Sequence, residues 1–186
     1  MFFLQVGPWY PYVTSTSISG INYKDGILMA ADMGGSYGST IHYKSVERLK
    51  QVGKHSLIGA SGELMYLDEL ILHDNMWDDG NSLGSKEVSV IGLHYEDVHI
   101  ATGFGNHLAR PILREEWRED LSFEEGVKLL EKCMRNLLYR DRSAVNKLQI
   151  AKITEEGLTV SPPYSLKTFW NSAASQNPTV GTVGSW

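Results

Sequence analysis

The chain has 186 residues, 42% hydrophobic and 21% charged, with a net charge of −5. That length and composition suit one globular domain with a sizeable core, and the acidic balance is opposite in sign to that of a nucleic-acid or anionic-membrane binder. The single cysteine, Cys133, excludes an intrachain disulfide and fits a reducing compartment. No apolar run nears the ~18 residues of a membrane helix, and Met1–Leu4 stops at Gln5 with no basic residues before it, a poor signal peptide.

Residues 1–13 hold Pro8, Pro11, Trp9, Tyr10 and Tyr12 and read as an extended leader. Residues 17–23 mix small, apolar and polar side chains as a strand does. Lys24-Asp25-Gly26 is a turn signal. Ile27 to Ala31 is continuously apolar, which predicts a strand buried on both faces. Two further strands are expected over 43–52 and 56–60, then a helix over 63–73 with Leu64, Leu67, Leu70 and Ile71 at helical spacing. A polar, glycine-rich loop follows over 74–85. Short strands are expected over 89–93 and 98–102, and a short helix over 108–117 that Pro111 should disturb.

Ser122 and Glu125 form a capping-box pattern. The helix it opens places Val127, Leu130, Cys133 or Met134, Leu137 and Leu138 on one stripe. A hairpin over 148–153 and 158–160 turns at Glu155-Glu156-Gly157. Beyond Pro162-Pro163 the chain is rich in Ser, Thr and Gly and reads as an extended C-terminal arm. Strands, then helices, then strands, without regular alternation, argue an α+β fold. The glycines at 34–38 lack the Gly-Lys-Ser/Thr ending of a phosphate loop, and those at 103 and 105 lack the third glycine of a dinucleotide fingerprint. The six histidines are scattered, so neither a metal set nor a cofactor is expected.

Gly26-Ile27-Leu28-Met29-Ala30-Ala31-Asp32, running into Met33-Gly34-Gly35-Ser36-Tyr37-Gly38, and Tyr139-Arg140-Asp141 with Ser143 resemble the β-type subunits of the 20S proteasome. The stretch from Thr14-Ser15-Thr16-Ser17 to Ser36-Tyr37-Gly38-Ser39 is most similar to a non-catalytic member of that family. The resemblance implies the N-terminal-nucleophile hydrolase fold, a four-layer αββα sandwich with two antiparallel sheets between helical layers. It also implies α- and β-type subunits as partners in stacked seven-membered rings, a place in cytoplasm and nucleus, and a part in ubiquitin-dependent protein degradation. On this reading 1–13 is the leader, 14–165 the domain, and 166–186 an arm reaching the opposite ring.

In catalytic members of that family the mature chain starts at a threonine whose free amine is the base. The resemblance places Thr16 at that nucleophile position, Asp32 at the aspartate and Arg48 where active members have lysine. Ser15 stands where self-cleaving members have glycine, and Phe104 where they have a serine near the terminal amine. Asp141 matches, but the serine after it comes one place early. These departures imply a degenerate site, hence a structural subunit. The rival readings are a threonine peptidase using Thr16 and a deletion product that joins no ring. The second rival arises because a helix and two strands of the family, roughly 40 residues by element size, are expected to be missing around residues 88–89, with the first helix shortened after Glu63.

Overall fold

The computed structural model describes residues 13–52, 56–63, 86–88 and 94–169. Its centre is a five-stranded antiparallel sheet in the order β11-β2-β3-β12-β13, built from β2 (Ile18–Tyr23), β3 (Gly26–Asp32), β11 (His99–Ala101), β12 (Leu148–Thr154) and β13 (Gly157–Val160). β3 is central, paired with β2 from Ile27↔Asn22 to Ala31↔Ile18 and with β12 from Ile27↔Ile153 to Asp32↔Leu148. The apolar run of β3 follows from this position. Leu28 and Ala30 face the helices, while Met29 and Ala31 face the other way, onto Ile18, Leu49, Leu57 and Ala151.

Three helices follow β11: α1 (Gly105–Leu108), α2 (Arg110–Glu116) and α3 (Phe123–Arg140). α3 packs on β2 and β3 and buries Leu129, Leu130, Cys133, Met134 and Leu137. Each fully buried Leu or Met contributes about 1.5–3 kcal/mol relative to exposure. The capping box is complete. The Ser122 hydroxyl accepts from the Glu125 amide, and the Glu125 carboxylate accepts from the Ser122 amide at 3.0 Å. The Glu125 pKa lies below its ordinary value because of the hydrogen bonds from Ser122, backbone first, with Arg118 adding to them. Trp117 fixes the end of α2 to the sheet, its indole N–H donating to Asn22 O at 2.8 Å.

On the opposite face lie β6 (Leu49–Val52) and β7 (Ser56–Gly59), a two-stranded sheet. Gly59 makes the close approach possible, because a Cβ there would sit 2.8 Å from Met29 Sδ and 3.0 Å from Ile18 Cδ1. A four-stranded sheet, β5-β4-β1-β8, comprises β1 (Val13–Ser15), β4 (Gly35–Tyr37), β5 (Thr40–Tyr43) and β8 (Gly62–Glu63). A small pair joins β9 (Lys86–Val88) to β10 (His94–Glu96).

Two expectations change. The strand expected over 43–52 is broken: β5 ends at Tyr43 and β6 starts at Leu49. The intervening loop is held to the end of β3 by Val46 N donating to Met33 O at 3.0 Å. Pro111 does not disturb a helix but helps to begin one. It sits in the first turn of α2, where its missing N–H costs nothing. The helix expected over 63–73, the loop after it and the strand over 89–93 fall on 64–85 and 89–93, outside the described residues.

Two measurements test this packing. Gly26 has φ +154°, and a Cβ there would lie 2.0 Å from the Ile153 carbonyl oxygen. Gly26→Ala should therefore cost at least about 3 kcal/mol, read as a lowered unfolding midpoint and lost soluble yield. Cys133 is fully buried, and that burial pushes its thiol up to about 12. It should resist thiol reagents at pH 8 in the native chain and react at once when the chain is unfolded.

Candidate functional site

Asp32 ends β3, Thr16 lies in the two-residue link from β1 to β2, and Arg48 stands just before β6. The fold brings the three into contact although they come from separate segments. Asp32 and Arg48 are 3% and 1% exposed, and they form a buried ion pair between Arg48 Nη1 and Asp32 Oδ1. The Thr16 hydroxyl donates to the same Asp32 Oδ1 and accepts from Arg48 Nη1 at 3.2 Å. Asp32 Oδ2 accepts from the amides of Gly34 (3.3 Å) and Val145 (3.1 Å), so both carboxylate oxygens are engaged.

Arg48 uses every nitrogen of its fork. Nε donates to Ala60 O at 3.2 Å, Nη1 also to Asp32 O at 3.2 Å, and Nη2 to Thr16 O at 2.7 Å and Ser17 O at 3.2 Å. Burial pulls its pKa down and Asp32 pulls it back up. The guanidinium starts so far above neutrality that it stays charged. It neither takes nor returns a proton from Thr16, and it orders backbone from three segments at once.

The other two sequence-predicted residues are placed elsewhere. Phe104 caps α1 and is 62% exposed. The bond that ties its loop to the Thr16 region is made by Ser17, whose hydroxyl accepts from Gly105 N at 2.7 Å. Asp141 caps the C-terminus of α3 and accepts from Ser143 N at 2.9 Å. The link from this loop to the site runs instead through the Val145 amide. Ser17 is fully buried and was not singled out from sequence. A serine next to the nucleophile position was the available signal.

Thr16 is also internal to an ordered chain. β1 runs directly into it and pairs with both β4 and β8. Ser15 has ordinary backbone, since no non-glycine residue among those described has positive φ. The cavity lined by Thr16, Asp32, Leu137 and Leu148 measures about 10 Å³, room for roughly one water and not for a peptide side chain. Among the described residues no cluster of three His, Cys, Asp or Glu is placed to hold a metal, and no helix is long and apolar enough to cross a membrane.

The proteasome subunit family model matches residues 12–68 and 76–153. The chain belongs to the proteasome subunit family. It is 61% identical to proteasome subunit beta type-4 of Arabidopsis thaliana over 221 positions, covering 95% of this chain and 90% of that protein. It is 34% identical to the beta type-4 subunit of Dictyostelium discoideum, covering 87% and 81%, and 31% identical to that of Xenopus laevis, covering 88% and 86%. Since 95% of 186 residues is about 177, about 44 of the 221 positions aligned with the Arabidopsis protein have no residue here.

The buried pair can be tested by a double-mutant cycle. Arg48→Met leaves Asp32 buried with its charge unopposed and should cost about 3–5 kcal/mol. Adding Asp32→Asn should recover about 1–3 kcal/mol of that loss. Arg48→Lys keeps the charge but not the fork, and its unfolding midpoint should fall between native and Arg48→Met.

Proposed function

We propose that this chain is a non-catalytic structural β subunit of the 20S proteasome core particle. It fills one place in a seven-membered ring among α- and β-type partners, in cytoplasm and nucleus, while neighbouring subunits cut the protein substrates of ubiquitin-dependent degradation. The observation that carries this reading is the state of Thr16. Its hydroxyl is engaged by Asp32 and Arg48, and its nitrogen is a chain amide following β1. A threonine nucleophile needs a free base beside it. Here the nearest cation is a guanidinium that cannot exchange the proton.

The degenerate positions are Thr16, Asp32, Arg48, Phe104 and Asp141, and no cofactor enters this reading. The domain is the αββα sandwich of the family in a shortened form. The positions lacking against the Arabidopsis relative are assigned to the stretch between Gly62 and Ser89, where the family model's match is also interrupted. Residues 1–13 form the leader, 14–165 the domain and 166–186 the arm. A threonine peptidase is the second reading, favoured by the meeting of Thr16 with Asp32. The remaining reading, a deletion product outside the ring, is favoured by the shortfall in length.

One experiment separates the three. Tagged chain expressed in its own cells should co-sediment with the whole core particle, with the Ser15–Thr16 bond intact by mass. Thr16→Ala should leave every peptidase activity of that particle unchanged. Chain found only as aggregate or degraded monomer supports the deletion-product reading, and loss of one activity in Thr16→Ala supports the peptidase.

A further inference from the structure

β6 and β7 form a ribbon of two strands, and among the described residues β7 pairs with β6 alone. The register runs from Leu49↔Gly59 to Val52↔Ser56, and Ala60 N donates to Arg48 O at 3.3 Å just beyond it. Bonded and non-bonded pairs alternate along an antiparallel ladder. Counting back from Ala60, Ile58 and Ser56 direct their backbone groups at β6, while the N–H and C=O of Leu57 and Gly59 point to the opposite edge. The side chains alternate as well. Leu57 packs with Ile18 and Leu49, and a Cβ on Gly59 would meet Met29 and Ile18, so both face the five-stranded sheet. Ile58 faces the other way and is half-buried.

Strand edges usually carry a device against pairing with another chain. β5 runs into Lys44, and β13 is followed by Pro162 and Pro163. Residues 56–62, Ser-Leu-Ile-Gly-Ala-Ser-Gly, hold neither charge nor proline. The segment is also self-complementary. Laid antiparallel on a second copy about a two-fold axis at Ile58, Leu57 of each chain falls opposite Gly59 of the other, and these two bonded pairs close the backbone groups that β6 leaves over. The large Leu57 side chain then lies beside a residue with none, and the two Ile58 side chains meet as a non-bonded pair, the closer kind. The product is one continuous sheet, β6-β7-β7-β6, in place of two ribbons of a kind that is marginal alone.

We propose that the outer edge of β7 is a docking surface for a second copy of this chain, the two β7 strands pairing antiparallel through Leu57 and Gly59 across a two-fold axis at Ile58. A foreign strand could make the same backbone bonds. The glycine that belongs opposite Leu57 and the apolar residue that belongs opposite Ile58 are both supplied by the chain's own sequence, so the contact is isologous and closes at two copies. The pairing belongs to chain outside a ring. It is separate from the structural-subunit reading, which neither requires nor forbids it.

The test uses the full chain, purified without ring partners. Near its solubility limit it should sediment as a species of twice the 20.8 kDa of one chain. Ile58→Cys should form an interchain disulfide under mild oxidation, because the Cα atoms of a non-bonded pair, ~4.5 Å apart, lie within disulfide reach. Cys133 is buried and should give no such link in the native chain, nor should Thr159→Cys, which is exposed on β13. Ile58→Lys and Ile58→Glu each set like charges opposite one another and should raise the dimer dissociation constant about tenfold or more. An equal mixture of the two should restore the dimer, which variants damaged in folding would not do. A native chain that sediments as monomer, an unlinked Ile58→Cys, charge variants that dimerise as the native chain does, or a mixture that stays monomeric would each overturn the proposal. Where the native chain is recovered only as larger aggregates, the Ile58→Cys link within them decides: its presence supports the pairing and its absence overturns it.

Discussion

A single buried ion pair organises this end of the molecule. Arg48 and Asp32 are almost completely removed from water, which costs several kcal/mol per ion unless geometry and further hydrogen bonds compensate. Compensation is present on both sides. Asp32 accepts from Thr16, Arg48, Gly34 and Val145, and Arg48 donates to carbonyls of Thr16, Ser17, Asp32 and Ala60. The pair therefore ties together the β1–β2 link, the end of β3, the strand β7 exit and the loop after α3. Its arrangement specifies how these segments meet more than it adds net stability, because apolar residues of equal volume would cost less to bury.

The same arrangement constrains the chemistry open to Thr16. Catalysis depends on groups held in a productive geometry with protons free to move. Thr16 is well held, but its proton is directed at Asp32 and its oxygen is capped by a cation that does not exchange protons. Arginine at this position supplies a rigid fork where a lysine would supply a mobile point charge. The fork binds the Thr16 carbonyl as well as its hydroxyl, so it restrains the backbone that a chain-cleaving step would need to rearrange.

How far the sequence could be read depended on the distance over which each feature is determined. α3 was legible because its stripe and its capping box are local, and β3 because its apolar run is bounded by Asp25-Gly26 and Asp32. The β12–β13 hairpin was legible from Glu155-Glu156-Gly157. Thr16 and Asp32 were legible only through a family resemblance, since nothing in their spacing predicts contact. The same resemblance placed Arg48 beside them, but its burial was hidden for a physical reason: arginine is seldom fully buried, and the loop that breaks the 43–52 strand is held by a bond from Val46 to Met33. β1, β4 and β8 were hidden because strands of two or three residues show no alternation, and their partners lie 22 and 47 residues apart.

The loop after α3 is a shared support for the buried charge pair and the segment around Leu166. Val145 donates its amide to Asp32, and its neighbour Asn146 clasps Leu166 with two bonds, Nδ2 to Leu166 O at 3.0 Å and Leu166 N to Oδ1 at 2.8 Å. Tyr164 bridges to Leu148, and its hydroxyl donates to Glu131 of α3 at 2.9 Å. Tyr139 accepts from Phe169 N at 2.8 Å. Leu166 is thereby fixed in the core, while Phe169, three residues on, is 71% exposed. A displaced 141–147 loop would release Asp32 on one side and Leu166 on the other. The charge pair and the segment from Tyr164 to Phe169 are thus two ends of the same packed unit, and a substitution at Asn146 or Val145 has to be judged for its effect on both.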